Sequence, residues 1–403
     1  VKYTAFNLLW LLTLPAMAAG AWFSIRLAYA DSLYIVNEPG ALALAIQLEP
    51  GSAAYHALLA EHIEGQGADP KPELRRASIL SPRNSLYLER LAVRAESEHD
   101  YFSAEKFLNQ ATAVDNKLLP RWDLLNFYFR RGDDANFWPW FRRSLEMSSI
   151  DDADGIFNLA WAHSQDPAAI LNSIPPVHRM LQHYLGFLVQ TGRLEPAAVV
   201  ADRIASMAGE ADVSELLAYC ERALSSDSAS AVRIWNALSA RKLIPLAQLN
   251  PGQGNFIANR NFLPTTAPRA FDWVFLPVDG VYATQSAEAD GVSIHFDGTE
   301  SEDSIILRQS VPLIADDRYL ISYEFSSPGG SPVRGLWWDV ISSGGVAATS
   351  PEMSANADWH PASFEFLAAG GWAELRLRYR RPAGAIRAEG TVIVRKLTGR
   401  LVK

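Results

Sequence analysis

Ala45-Ile46-Gln47-Leu48-Glu49-Pro50, leading to Tyr55, Leu59 and Ala60, decides how the first half of this chain reads, because the pattern returns 32 residues later. The second copy is Ala77-Ser78-Ile79-Leu80-Ser81-Pro82, leading to Tyr87, Leu91 and Ala92. A looser third copy places Ala111, Val114 and Asn116 at an offset of 34 from Ala77, Leu80 and Pro82. Such a unit suits a pair of helices. Small alanines let two helices approach closely, and proline suits the turn or the first helical position. Tyrosine and leucine four apart share one face of the next helix. One pair cannot bury its own apolar face, so the pairs must stack.

The repeat region is expected to run over residues 31–248. It resembles degenerate tetratricopeptide repeats. Ala104-Glu105-Lys106-Phe107-Leu108-Asn109-Gln110-Ala111 with Val114-Asp115 is similar to the second half of such a repeat, and Leu194-Glu195-Pro196-Ala197-Ala198 after Thr191-Gly192-Arg193 to its inter-helix turn and helix start. No single unit carries the whole consensus. The resemblance implies an α-solenoid that binds a partner protein or peptide in a groove. Candidate groove residues are Arg130, Arg131, Arg142 and Arg143 with Trp138 and Trp140, a set that suits an acidic peptide or glycan by charge and stacking. The competing reading makes them solvated helix ends with tryptophans in the inter-repeat core. Histidines are scattered at spacings unsuited to a shared helix face, and Cys220 falls among leucines as a core thiol.

Composition fits an ordered, multidomain chain. Of 403 residues, 49% are apolar and 20% charged, which is too much core-forming material for disorder. The net charge of −9 lacks the basic footprint of a nucleic-acid binder. One cysteine allows neither an intramolecular disulfide nor a multi-cysteine zinc site. At the N-terminus, Ala5 to Ile25 is nearly all apolar, with Asn7, Thr13 and Ser24 as its strongly polar side chains. Its length of roughly 31 Å as a helix matches a bilayer core, so residues 1–30 are expected to be a membrane anchor, with Trp10, Trp22 and Phe23 as interfacial candidates. A cleaved signal segment is the competing reading, with Ala16-Met17-Ala18 or Ala28-Tyr29-Ala30 as the cleavage site.

At Leu249-Asn250-Pro251-Gly252-Gln253-Gly254 the helical period stops. Short alternating runs follow, clearest in Glu374-Leu375-Arg376-Leu377-Arg378-Tyr379-Arg380, whose charges share one face. Tyr319 to Phe325 and Ser363 to Phe366 alternate similarly. Further strands are expected at Val292–Phe296, Ser304–Val311, Gly335–Ile341 and Thr391–Leu397. Residues 250–403 therefore read as an antiparallel β-sandwich. The order of Asn259-Arg260-Asn261-Phe262, Phe271-Asp272-Trp273, Gly291-Val292-Ser293-Ile294, Gln309-Ser310-Val311 and Tyr319-Leu320-Ile321-Ser322 resembles a carbohydrate-binding-module jelly roll of the galactose-binding-like type. That resemblance implies glycan binding without cleavage, and sugar faces need exposed aromatic rings. The candidates are Trp337, Trp338, Trp359 and Trp372. Trp337 and Trp338 are expected on opposite faces of one strand. Asp297, Glu300, Glu302 and Asp303 cluster as candidate ligands for a structural calcium, with a solvated acidic turn as the competing reading. The nine basic residues and one acid of 376–403 suit either balance with the acidic stretch 288–317 or an anionic partner.

The fold class expected is thus α + β and multidomain: a membrane helix, an all-α solenoid and a jelly-roll sandwich. The expected role is that of a non-enzymatic scaffold at a bacterial inner membrane, single-pass, with its bulk extracytoplasmic. It would bind partner proteins through the repeats and polysaccharide through the sandwich, in surface polysaccharide assembly or export, with an oligomer allowed. The alternatives are a structural subunit of a larger assembly without glycan binding, and a glycosidase or lyase. The last needs convergent carboxylates, which one loop does not provide.

Overall fold

The computed structural model describes residues 2–265, 269–286, 290–328, 333–342, 344–354 and 357–402, with the backbone alone for 2–12. The chain divides into two compact units, residues 1–175 and 176–403.

The first unit is helical throughout: α1 (Lys2–Val36), α2 (Pro39–Leu48), α3 (Ala53–Gly65), α4 (Lys71–Leu80), α5 (Ser85–Ser97), α6 (Tyr101–Val114), α7 (Leu118–Arg131), α8 (Asp134–Met147), α9 (Ile150–His163) and α10 (Pro167–Ser173). The repeated residues explain the pairing. Ala45, Ala77 and Ala111 sit on α2, α4 and α6 with no exposed surface, and Ala60 and Ala92 sit on α3 and α5 at 0% and 1%. A larger side chain at any of them would push two helices apart. Tyr55 and Tyr87 are buried one helix further on. Pro50 and Pro82 lie in the turns between helices, where no N–H is needed. Side-chain caps then start the helices: Asn84 accepts from the Leu86 N–H at 3.2 Å, Asp100 from Ser103 at 3.1 Å and Asp133 from Asn136 at 3.2 Å.

The N-terminal helix extends past the expected boundary. No break occurs at residue 30. α1 runs on to Val36, and Ala30 packs with Ala45 and Tyr55 against Leu33 and Tyr34. Arg26 and Asp31 follow the apolar run and are tied to the repeat, Arg26 to the Leu48 carbonyl and Asp31 to the Tyr55 hydroxyl. Among the described residues no helix is long and apolar enough to cross a membrane. Trp10 lies outside the described side chains.

The second unit opens with α11 (His178–Gln190), α12 (Leu194–Ala205), α13 (Val213–Ala223) and α14 (Ser228–Ala240). Its strands are β1 (Val274–Phe275), β2 (Val281–Ser286), β3 (Gly291–Asp297), β4 (Asp303–Pro312), β5 (Arg318–Ser326), β6 (Leu336–Ser342), β7 (Gly345–Thr349), β8 (His360–Leu367), β9 (Trp372–Arg380) and β10 (Glu389–Val402). They form two antiparallel sheets in the orders β1-β4-β9-β6-β7 and β2-β3-β10-β5-β8. Apolar side chains of both inner faces fill one core, including Phe296, Ile321, Trp338, Leu375, Leu377 and Val394.

The helices of this unit pack with the sandwich. The Trp235 ring of α14 meets Phe271 edge-on at 5.4 Å, and Asn236 brackets Leu249 with two hydrogen bonds of 2.7 and 2.8 Å. Helix therefore gives way to strand between Ala240 and Val274, while compact packing divides the chain at 175/176. The segment before β1 is held by a buried polar knot. Asn259 binds the Leu263 backbone at both its N–H and its carbonyl, and donates to Asp272 at 2.9 Å. Asp272 takes the Trp273 N–H at 2.7 Å and the Thr265 hydroxyl at 2.5 Å, and the Trp273 indole donates to the Asn259 carbonyl at 2.7 Å. The Asn-x-Asn-Phe and Phe-Asp-Trp motifs thus staple the sandwich closed, with each polar group paired as burial requires.

Candidate functional site

Alternation along β9 makes the site. Ala373, Leu375, Leu377 and Tyr379 point into the core, so Trp372, Glu374, Arg376, Arg378 and Arg380 stand on the outer face of the first sheet. The register of the neighbouring strands then sets rows across that face. Asp303 pairs with Arg380, and Ile305 with Arg378, which in turn pairs with Trp337 on its other side. Arg308 pairs with Arg376, which faces Asp339, which faces Thr349. Ser310 pairs with Glu374 and Pro312 with Trp372.

Asp339 organises the centre. It is 3% exposed, and its Oδ1 accepts from the Trp337 indole N–H at 2.9 Å and from the Thr349 hydroxyl at 2.7 Å. Its Oδ2 lies 3.7 Å from Arg378. Arg378 also grips Asp303 with two bonds of 2.8 and 2.5 Å, and Arg380 adds a contact at 3.3 Å. The Arg378 hydrogen bond holds the Asp303 carboxyl below its ordinary range, and the same pair raises Arg378. Glu374 binds Arg376 and lies 3.7 Å from Arg308. The half-buried Trp337 ring is thus fixed by a carboxylate and flanked by guanidinium and hydroxyl groups. Such a set offers an apolar face and polar neighbours together, as a sugar ring requires.

The structure separates the four candidate tryptophans. Trp337 and Trp372 share the outer face of the first sheet. Trp338 turns inward, 0% exposed, with its ring 5.6 Å from Trp273. Trp359 lies under the Arg395 guanidinium at 3.6 Å, and Arg395 belongs to the second sheet. Arg308, Asp339, Thr349, Glu374, Arg376 and Arg378 complete the face and were not site candidates from sequence. The charge alternation of β9 hinted at three of them, but only strand register shows what lies beside them.

The structure bears on two further expectations and corrects the first. The four acids of the candidate calcium set do not converge. Asp297 accepts from the Thr299 N–H and hydroxyl at 2.9 and 2.6 Å, Glu302 pairs with Arg381, and Asp303 with Arg378 and Arg380. Glu300 is buried and accepts from the Tyr379 hydroxyl and the Ala388 N–H, both at 2.9 Å. Among the described residues no group of three or more His, Cys, Asp or Glu is placed to hold a metal. The groove candidates also disperse. Arg130 forks onto Glu96 at 2.8 and 2.7 Å, and Arg131 lies 3.8 Å over the Tyr101 ring. Trp138 packs edge-on against Phe137 and Phe141, Arg143 covers Trp140 at 4.6 Å, and Arg142 donates to the Asn172 carbonyl at 2.8 Å. Each cation has a partner within the repeat region, and half of the Arg130 side chain stays exposed.

Cavities lie elsewhere in the second unit. One of about 430 Å³ is lined by Phe262, Trp273, Phe275, Thr284 and Gln285, and one of about 350 Å³ lies beside Leu217, Trp235 and Arg269.

No protein-family profile matches the chain, and no curated protein matches it. Solved structures are similar in fold. A structure described as "CBM4 structure and function" is 13% identical with a TM-score of 0.29, over 36% of this chain and 99% of that one. PilF of Pseudomonas aeruginosa is 17% identical with a TM-score of 0.27, over 48% and 92%. YrrB, described as a TPR protein with an unusual peptide-binding site, is 11% identical with a TM-score of 0.25, over 51% and 100%. At these values the likenesses carry no argument about this chain. The chain is a helical-repeat region followed by an antiparallel β-sandwich.

Proposed function

We propose that this protein is a non-enzymatic scaffold, binding protein partners through its helical repeats and a glycan chain across the β4-β9-β6-β7 face of its sandwich. The observation that carries the glycan reading is Trp337. Its ring sits on an open sheet face, held by Asp339 and flanked by Arg378 and Thr349, while Trp338 beside it is spent on the core. The repeats support the partner reading because stacked helix pairs present a long continuous surface. Membrane association through α1 belongs to the same proposal. Leu14, Met17, Trp22, Phe23, Ile25 and Leu27 are all exposed along it, which leaves a large apolar surface uncovered. A place at a bacterial inner membrane, in assembly or export of surface polysaccharide, follows from joining these three parts.

The test is a glycan-array and polysaccharide pull-down with the chain and its Trp337→Ala variant. Saturable binding that weakens roughly tenfold or more in the variant, with its melting temperature kept, is the expected result. A folded chain that binds no glycan leaves a structural subunit, which the dispersal of charges into internal pairs along α7 and α8 would then favour.

A further inference from the structure

Arg308 and Arg376 are direct partners across the β4–β9 ladder, so two guanidinium groups stand side by side on one face. Like charges directly opposite each other destabilise a sheet. Glu374 is the carboxylate they share, and its contact with Arg308 is a loose 3.7 Å. Among the described residues Arg308 has no other ion pair, and 47% of its side chain remains exposed. Two strands and one row away stands Trp337, a lattice distance of roughly 12 Å. Among the described residues the face holds four arginines, Arg308, Arg376, Arg378 and Arg380, against three carboxylates, Asp303, Asp339 and Glu374. Two of the acids are committed at the Trp337 end, where Arg378 is clamped by Asp303 and Asp339, and the third, Glu374, is bound to Arg376. The unspent donors are concentrated at Arg308. Arginine's fork of N–H groups fits a carboxylate in two parallel bonds, which a neutral hydroxyl does not match.

We propose that the glycan of this face is acidic, a polyuronate whose sugar ring meets Trp337 while a carboxylate further along the chain bridges Arg308 and Arg376. This rests on the glycan reading above and names its substrate class. The bridging carboxylate relieves the like-charge pair that the free protein carries, so binding strengthens as salt falls.

The experiment is calorimetric titration of the full chain with polygalacturonate, its carboxyl-reduced neutral counterpart and poly-L-glutamate, repeated with Arg308→Gln and Trp337→Ala. The expected result is tightest binding to the polyuronate, with the neutral polymer about tenfold weaker or more. Arg308→Gln then lowers affinity for the polyuronate about tenfold and leaves the neutral polymer unchanged, while Trp337→Ala weakens both. Arg308 is on the surface and faces a like charge, so its variant melts no lower than the parent. Equal affinity for the neutral polymer overturns the acidic assignment and leaves the glycan reading standing. Binding of poly-L-glutamate as tight as polyuronate overturns it too, by showing charge without sugar. If the folded chain binds none of the three, this assignment falls, and the array above decides the glycan reading itself.

Discussion

Trp338 touches Trp273 at 5.6 Å and Tyr323 at 6.4 Å, and its neighbour Trp337 touches Asp339, so one peptide bond separates a core residue from a site residue. Trp338→Ala should cost about 3–5 kcal/mol of sandwich stability, measured by urea denaturation, because a large buried ring leaves a cavity. That alternation was legible in the sequence, since successive strand residues face opposite ways. The role of Asp339 was not, because its partners Thr349 and Arg378 come from two other strands. Charge behaves differently at Glu89. Burial pushes this carboxyl above its ordinary range, with Asp123 and Asp115 adding to the effect, and its Oε1 finds no partner among the described residues. An acid whose folded pKa is raised costs stability at high pH and costs nothing once folded and unfolded states are both protonated. Glu89→Gln should therefore stabilise the repeats by about 1 kcal/mol at pH 7. The gain should vanish as pH falls below roughly 4 in pH-dependent thermal melts. Asp303 has the opposite sign. Its lowered carboxyl contributes stability above its unfolded value, and that contribution is lost as acid drives pH down through the folded one.

At the scale of elements, the repeated alanines and the central strands could be read, and the edges could not. Ala45, Ala77 and Ala111 recur because each fills a helix crossing with no spare volume. Ala77→Leu should lower the stability of the first unit by about 1–3 kcal/mol, seen as an earlier helical transition by circular dichroism. β3, β4, β5, β6, β8, β9 and β10 announce themselves by apolar alternation, since one face of each meets the core. β7 is exposed along nearly all of Gly345–Thr349, so burial imposes no pattern on it. β2, a sheet edge of sequence Val-Tyr-Ala-Thr-Gln-Ser, is nearly as featureless, and β1 has only two residues. Gly335, just before β6, shows the converse: φ is +83°, and a Cβ there would lie 2.0 Å from the Arg380 carbonyl oxygen. That close approach sets Trp337 in register beside Arg378, and no periodicity reveals it.

For the whole molecule, local texture and compact packing give different divisions. The change from helical to alternating pattern near residue 250 is plain in sequence, but α14 belongs to the sandwich's unit through Trp235, Phe271, Asn236 and Leu249. A fragment of residues 176–403 should accordingly unfold in a single cooperative melt at a higher temperature than residues 250–403, which lack Trp235, the ring partner of Phe271, together with Asn236 and Leu249. Differential scanning calorimetry of the two fragments checks this. Within the first unit, α1 has a mechanical consequence. Its last turns are wedged beneath α2 and α3 through Ala30, Leu33 and Tyr34, and the same unbroken helix continues back to Lys2. A tug at that end meets a stiff rod about 50 Å long instead of slack chain. The rod delivers the load as leverage on the first helical pair, so Tyr55 and Ala45 are the first contacts to feel it.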